Sequence, residues 1–208
     1  QSEFRELGGM DSMFAVANNW LPAEPNRIHA RLQEAILRVL CNVCLSSNPN
    51  IELLVAAPET VAAVVHSLSS PVERVVAQAA RLAGEVSIVE NGARTLQHSA
   101  AVEPLFRVAC WNVEGSTTYQ ASARVSAVIA LANLAKSSIV VAHLGELVAE
   151  APLAVADLAH GAGLAGIAAR KLAGKLDLDL GVAPVLHESA KRPATPEVTA
   201  QSGGRLTL

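Results

Sequence analysis

Four segments of this chain share one pattern, a leucine and a small residue followed by asparagine or glycine. They are Leu40-Cys-Asn42-Val43, Leu82-Ala-Gly84-Glu85, Leu131-Ala-Asn133-Leu134 and Leu172-Ala-Gly174-Lys175. The leading leucines lie 42, 49 and 41 residues apart. This period constrains the fold most, because it is typical of stacked helical repeats that bury one continuous core.

Each segment ends a long stretch in which small or apolar residues recur three and four positions apart, as on one packed face of a helix. The long helices are predicted over residues 31–43, 72–86, 119–135 and 164–176. A second helix is predicted before each, over residues 10–20, 58–68, 100–110 and 151–161. A short helix precedes that one, over residues 4–9, 50–57, 92–99 and 140–147.

Local signals support these boundaries. Three prolines, Pro58, Pro104 and Pro152, lie in the first turn of a predicted second helix, where a missing N–H costs little. Asn26 is the predicted N-cap of the first long helix, and Ser70 to Glu73 reads as a capping box at the start of the second. The polar stretch 111–119 is predicted to be a surface loop.

The predicted units span residues 1–48, 49–90, 91–136 and 137–180, with a partial unit over 181–188 that closes the stack. Residues 189–208 contain prolines, paired glycines and few large apolar side chains, so we expect a disordered tail or linker. The start at Gln1 without methionine suggests a piece of a longer chain or a subunit of a larger complex.

Composition favours helices and excludes several functions. Hydrophobic residues make up 51% of the chain but aromatic residues only 3%, so the core must be built from Ala, Val and Leu. The net charge of −3 gives no basic footprint for nucleic acid. No apolar run is long and uninterrupted enough to span a membrane. Three cysteines, an odd number, argue against a disulfide framework, and we expect an intracellular, cytoplasmic location.

Together, the period, the three-helix unit, the glycine pair Gly8-Gly9 and the "ALANLA" ending of residues 130–135 resemble the armadillo repeat family. The resemblance covers about residues 1–180 and implies an all-α fold, a right-handed α-solenoid of about four three-helix repeats. HEAT repeats and other α-solenoids are the competing interpretation, since they share the repeat length and the superhelical packing.

The resemblance also implies a concave groove lined by the third helices, in which the asparagine of the motif binds the backbone of an extended peptide. Asn42 and Asn133 match that position, whereas Gly84 and Gly174 do not. One turn earlier the chain has no tryptophan of the importin type, and the residues there are Arg38, Ala80, Ile129 and Arg170. The candidate partner-binding residues are therefore Arg38, Asn42, Ile129, Asn133 and Arg170.

Each of these residues also has a purely structural interpretation. A carboxamide can donate to and accept from a peptide backbone, but near a helix C-terminus it can equally satisfy a local carbonyl. Arginines in the groove can bind a carboxylate-bearing partner or be solvated. Trp20 and Trp111 can anchor a partner or cap the packed edge of a repeat.

Two motifs look chemical but lack the required context. Cys41-Asn-Val-Cys44 closes a helix where a redox motif should open one, so buried core cysteines are predicted. Gly161-Ala-Gly163-Leu-Ala-Gly166 follows no strand, so its glycines are read as a turn between packed helices and not as a nucleotide site. The six histidines have no metal-binding spacing. We expect no enzyme activity, no cofactor and no metal.

The sequence therefore predicts a non-catalytic scaffold that binds an extended peptide or a partner helix through the third-helix groove. The alternative is a structural subunit of a large cytoskeletal, ciliary or transport assembly, held through its convex or end surfaces. An exposed apolar patch near Phe4 and Met13 would favour that alternative. A third possibility, an enzyme using the turn at Gly161, predicts nucleotide binding.

Overall fold

The computed structural model describes residues 1–23, 26–111, 116–150 and 163–176. Within these ranges the chain is helical and contains no strand. The first six helices are α1 Ser2–Glu6, α2 Gly9–Trp20, α3 Arg27–Cys44, α4 Asn48–Val55, α5 Pro58–Ser67 and α6 Glu73–Val86. The other five are α7 Glu90–His98, α8 Val102–Ala109, α9 Thr118–Leu134, α10 Ser138–Glu150 and α11 Gly163–Lys175.

The helix order agrees with the predicted segments. Three groups of three helices follow each other, α1 to α3, α4 to α6 and α7 to α9, and the third helix is the longest in each group. α10 and α11 match the predicted first and third helices of a fourth group. Four predicted segments lie wholly or partly outside the described residues: the second helix at 151–161, residues 112–115 of the loop at 111–119, the partial unit 181–188 and the tail 189–208.

Helix starts are fixed by the expected local chemistry at two of the long helices. The side-chain oxygen of Asn26 accepts hydrogen bonds of 2.9 Å from the backbone N–H groups of Ile28 and His29, which confirms this N-cap of α3. Thr117 and Gln120 form a reciprocal capping box at α9. Both side chains also donate to the carboxylate of Glu73 at 2.7 Å, which ties the start of α9 to the start of α6.

The predicted capping box at the start of α6 is wrong. The helix begins at Glu73 with Val72 as N-cap, and no side chain caps it. The Ser70 hydroxyl instead accepts from the backbone N–H of Val72, at 3.2 Å. Serine readily closes such a two-residue turn, and this bond competes with the capping geometry that the sequence indicated.

The core runs along the row of long helices. α3 packs against α6, α6 against α9, and α9 against both α8 and α11. The four marker leucines are all buried in this row: Leu40, Leu82, Leu131 and Leu172. Alanine accounts for four of the nine buried residues of α6 and four of the seven of α9, and this small side chain permits close packing of helices.

Side-chain hydrogen bonds connect the groups at a nearly constant separation. Bonds from Arg5 to Asn50, Thr60 to Asn18, Asn133 to Ser87, and Lys175 to the carbonyl of Ala135 join residues 40 to 46 apart. The Glu73 bonds span 44 and 47 residues. Bonds join α6 and α9 both at their starts and at their ends, so these two long helices run in the same direction, displaced by one group.

Candidate functional site

The five predicted partner-binding residues all lie on the long helices. Arg38 and Asn42 are exposed on α3, Ile129 and Asn133 are half-buried on α9, and Arg170 is half-buried on α11. In each pair on α3 and α9 the two residues are one turn apart. The structure thus brings them onto the side of these helices that neighbouring helices leave uncovered.

This uncovered side, which we call the open face, has the same spacing on successive long helices. Its members are separated by four, three and four residues: Arg31, Ala35, Arg38 and Asn42 on α3, Arg74, Gln78, Arg81 and Glu85 on α6, and Ser122, Ser126, Ile129 and Asn133 on α9. On α11 the corresponding residues are Ile167, Arg170 and Gly174.

The burial pattern corrects the sequence alignment in the second group. Ala80 and Gly84, which the leucine-based alignment placed in the groove, are buried. A Cβ built on Gly84 would lie 3.5 Å from the Ser126 carbonyl oxygen, so this residue faces α9. Arg81 and Glu85 take their places on the open face. The leucine-based alignment is therefore one residue out on α6, where packing against α9 covers Gly84.

With this correction, arginine occupies three of four equivalent positions. Arg38, Arg81, Ile129 and Arg170 succeed each other at intervals of 43, 48 and 41 residues. The described residues form three ion pairs, Arg74 with Glu34 at 3.2 Å, Arg94 with Glu90 and Arg107 with Glu103. Arg38 and Arg81 belong to none of them. Arg81 was not predicted from the sequence, although its separation of 43 residues from Arg38 is close to the repeat period.

Asn133 makes a bond inside the chain. Its amide nitrogen donates to the Ser87 hydroxyl at 3.0 Å, and that hydroxyl donates to the Gly84 carbonyl at 2.7 Å. This relay ties the C-terminal turn of α9 to that of α6, which is the structural interpretation of the asparagine. The carboxamide of Asn42 is exposed on α3, and peptide binding by either residue stays a prediction.

Two other side chains bind carbonyls at the ends of second helices, and neither role was predicted from the sequence. The Gln33 amide nitrogen donates to the carbonyls of Trp20, Leu21 and Ala23. Arg124 takes the matching position on α9 and donates to the carbonyl of Ala109. Helix C-termini leave carbonyls without intrahelical partners, so these residues stabilise the junction between second and third helices.

A cleft of about 400 Å³ lies at the C-terminal end of α9. The Asn133 side chain lines it beside Lys136 and the paired Glu90 and Arg94, and Ile88 adds an exposed apolar edge. The mixture of an amide, two cations and an apolar edge is suited to one side chain or one chain end of a partner. The cleft shares Asn133 with the open face.

The tryptophans lie at the ends of second helices, as predicted. Trp20 is the last residue of α2, is 39% exposed, and makes an edge-to-face contact with His29 at 5.4 Å between ring centroids. Trp111 is half-buried against the core. Both rings pack at the edge of a helix group.

The two cysteines of the C-x-x-C segment are core residues, as predicted. Cys41 and Cys44 are fully buried, and neither is in a disulfide. Burial raises the pKa of Cys41 to about 11 and that of Cys44 to about 12. Because the thiolate is the reactive form, both thiols are poor nucleophiles at neutral pH.

We expect the three thiols to react unequally with DTNB at pH 8. Cys110 is only half-buried and should react first. Cys41 should react at least about 100-fold more slowly in the folded chain than in urea, because its thiolate fraction falls by that factor when its pKa rises from 9.0 to about 11. A Cys110→Ser variant should lose the fast phase. A fast phase that persists in this variant would contradict the assigned burial.

The glycine motif is helical where it is described. Gly163 begins α11 and Gly166 is buried within it, while Gly161 lies outside the described residues. Among the described residues, no three His, Cys, Asp or Glu side chains are grouped to hold a metal ion. In the same ranges, every helix is too short or too polar to cross a membrane.

Comparison with known proteins adds no family assignment. Neither the protein-family models nor the curated proteins give a match to this chain. The open face, the cleft and the helix packing are therefore the features of this chain that bear on its function.

Proposed function

We propose that this chain is a right-handed, armadillo-like α-solenoid of about four three-helix repeats that acts as a non-catalytic protein–protein interaction scaffold. Support comes from the packing of α3, α6, α9 and α11 in succession and from hydrogen bonds that join residues one sequence period apart. Repeat units that contact only their neighbours form an extended surface, and such surfaces bind elongated partners.

The observation that carries the binding proposal is the recurring open face. Arg38, Asn42, Ile129, Asn133 and Arg170 lie on it, and Arg81 joins them through the corrected register. A row of evenly spaced polar and apolar side chains is suited to an extended peptide or a partner helix, which can be held at several points along its length.

One observation favours the alternative, a structural subunit held through an end surface. Phe4 and Met13 pack against the core, but other apolar side chains of the first group are exposed. Leu7 and Ile28 are 79% and 78% exposed, and Val16 and Trp20 are partly so. A partner that covers this end would bury them.

The two proposals are separated by peptide selection. We expect a random peptide library displayed on phage to yield binders to the immobilised 208-residue chain. These binders should lose about tenfold or more in affinity when Arg38→Ala and Asn42→Ala are combined, because both substitutions remove contacts on the open face. A matched end variant, Leu7→Ala with Trp20→Ala, should bind as the wild type does. The reverse pattern would exclude the groove and favour the end surface.

A further inference from the structure

Charge is unevenly divided between the long helices and the rest of the chain. The chain has 16 Lys and Arg residues against 19 Asp and Glu, yet α3, α6, α9 and α11 contain nine of the cations and three of the acids. A chain that is negative as a whole thus has a positive row of helices. Such separation attracts a partner of opposite charge to that row.

Arginine is concentrated on the open face of this row. Arg38, Arg81 and Arg170 occupy equivalent positions on α3, α6 and α11. A second arginine lies two turns before Arg38 and another two turns before Arg81, at Arg31 and Arg74. The Arg81 charge acts on the thiol of Cys41 and opposes the rise of its pKa, so Arg81 lies beside α3. Of the acids on these helices, Glu34 is already paired with Arg74, and Glu73 accepts from Thr117 and Gln120.

Helix spacing matches the rise of an extended peptide. Packed helices lie about 8–10 Å apart, and an extended chain rises about 3.3 Å per residue, so every third residue meets the next long helix. Arginine binds carboxylates through two parallel hydrogen bonds, which makes it specific for acidic side chains. The open face therefore presents a cation on α3, a cation on α6, an apolar side chain on α9 and a cation on α11. Neighbouring positions are about three residues of an extended peptide apart.

We propose that the open face binds an extended acidic peptide whose carboxylates meet Arg38, Arg81 and Arg170 and whose apolar residue meets Ile129. The peptide pattern is acid-x-x-acid-x-x-apolar-x-x-acid, in either direction. This inference rests on the proposed groove function and adds the chemistry of the partner. Glu85, one turn after Arg81, disfavours a second acid beside that position.

The test is fluorescence anisotropy with three labelled decapeptides: the spaced acidic peptide, a rearranged peptide of the same composition, and an uncharged peptide with glutamine in place of each acid. The wild-type chain should bind the spaced peptide about tenfold or more tightly than the other two, with affinity that falls as salt rises. A single-stranded oligonucleotide of equal charge should bind more weakly than the spaced peptide.

The matched variants reverse charge either on the open face or on a helix away from it. Arg38→Glu with Arg81→Glu should weaken binding of the spaced peptide about tenfold or more. Arg107→Glu, on α8 and outside both the open face and the cleft, should alter binding by less than about threefold, because its effect is long-range only. Arg38→Glu alone makes the same change in net charge and should weaken binding more than Arg107→Glu does. Arg38→Gln with Arg81→Gln provides a milder pair, and circular dichroism melts check each fold.

The outcomes are distinct. If the two charge reversals weaken binding equally, or if the oligonucleotide competes as well as the spaced peptide, the acidic-peptide inference is overturned. If the uncharged peptide binds as tightly and depends on Asn42 and Ile129, the groove function stands but the inference fails. If none of the peptides binds and library selection yields only end-surface binders, the groove function fails with it.

Discussion

Replacing Leu131 by alanine is expected to lower the free energy of unfolding by about 3 kcal/mol, within the range of about 2–5 kcal/mol typical of buried leucines. Leu131 is 1% exposed and lies on α9. This helix packs against α6, α8 and α11, so a cavity there removes contacts in the middle of the row. Urea titration followed by far-UV circular dichroism measures the loss.

Leu53→Ala is the matched control, because it makes the same chemical change at a residue of α4 that is 39% exposed. We expect it to cost less than about 1 kcal/mol, since partly exposed side chains lose less burial on truncation. Equal losses in the two variants would contradict the central position of α9.

Hydrogen exchange on the Leu131→Ala variant also tests the proposed array. In a solenoid each unit contacts only its neighbours. The substitution should therefore lower the free energy of local opening only in the altered unit and in the helices that contact it. Protection should fall most in α6, α8, α9 and α11 and least in α1 and α2. A uniform loss across all helices would favour a single cooperative globule.

The sequence predicted the helices well because their signals are local. The stretch 72–86 differs from α6 by one residue, and Asn26 and Pro58 begin their helices as expected. Capping side chains, first-turn prolines and apolar spacing act within a few residues of the helix end, so they can be read directly from the chain.

The candidate site could be predicted less well than the helices, since the burial of a residue depends on neighbouring helices. On the surface of α6, Ala80 and Gly84 form one row and Arg81 and Glu85 form the row beside it. Only the packing of α9 decides which of these two rows is covered. Likewise, the bond from Asn133 to Ser87 spans 46 residues. The sequence motif left a peptide-binding role and a structural role open for this asparagine, and it could not identify the partner of the amide.

Gly92 illustrates the same limit and leads to the second large effect. A helix is predicted over 92–99, and α7 covers all of this stretch except Ser99, but no sequence signal marks the glycine as essential. A Cβ on Gly92 would lie 2.0 Å from the carbonyl oxygen of Val86 and 2.9 Å from its Cγ1. Backbone atoms cannot yield by rotating a side chain, so α7 would have to move away from the end of α6.

Gly92→Ala is therefore expected to destabilise the fold by about 2–3 kcal/mol or more, as overpacking against a fixed group does. Gly145→Ala is the control, because that glycine is exposed within α10 and its Cβ would meet nothing within 4 Å. There the substitution should stabilise by about 0.5–1 kcal/mol through the higher helix propensity of alanine. Thermal and urea unfolding measure the change in stability of both variants, which should be negative for Gly92→Ala and positive for Gly145→Ala. A Gly92→Ala chain as stable as the wild type would mean that α7 does not approach the end of α6 this closely, because the carbonyl of Val86 leaves no room for the added methyl group.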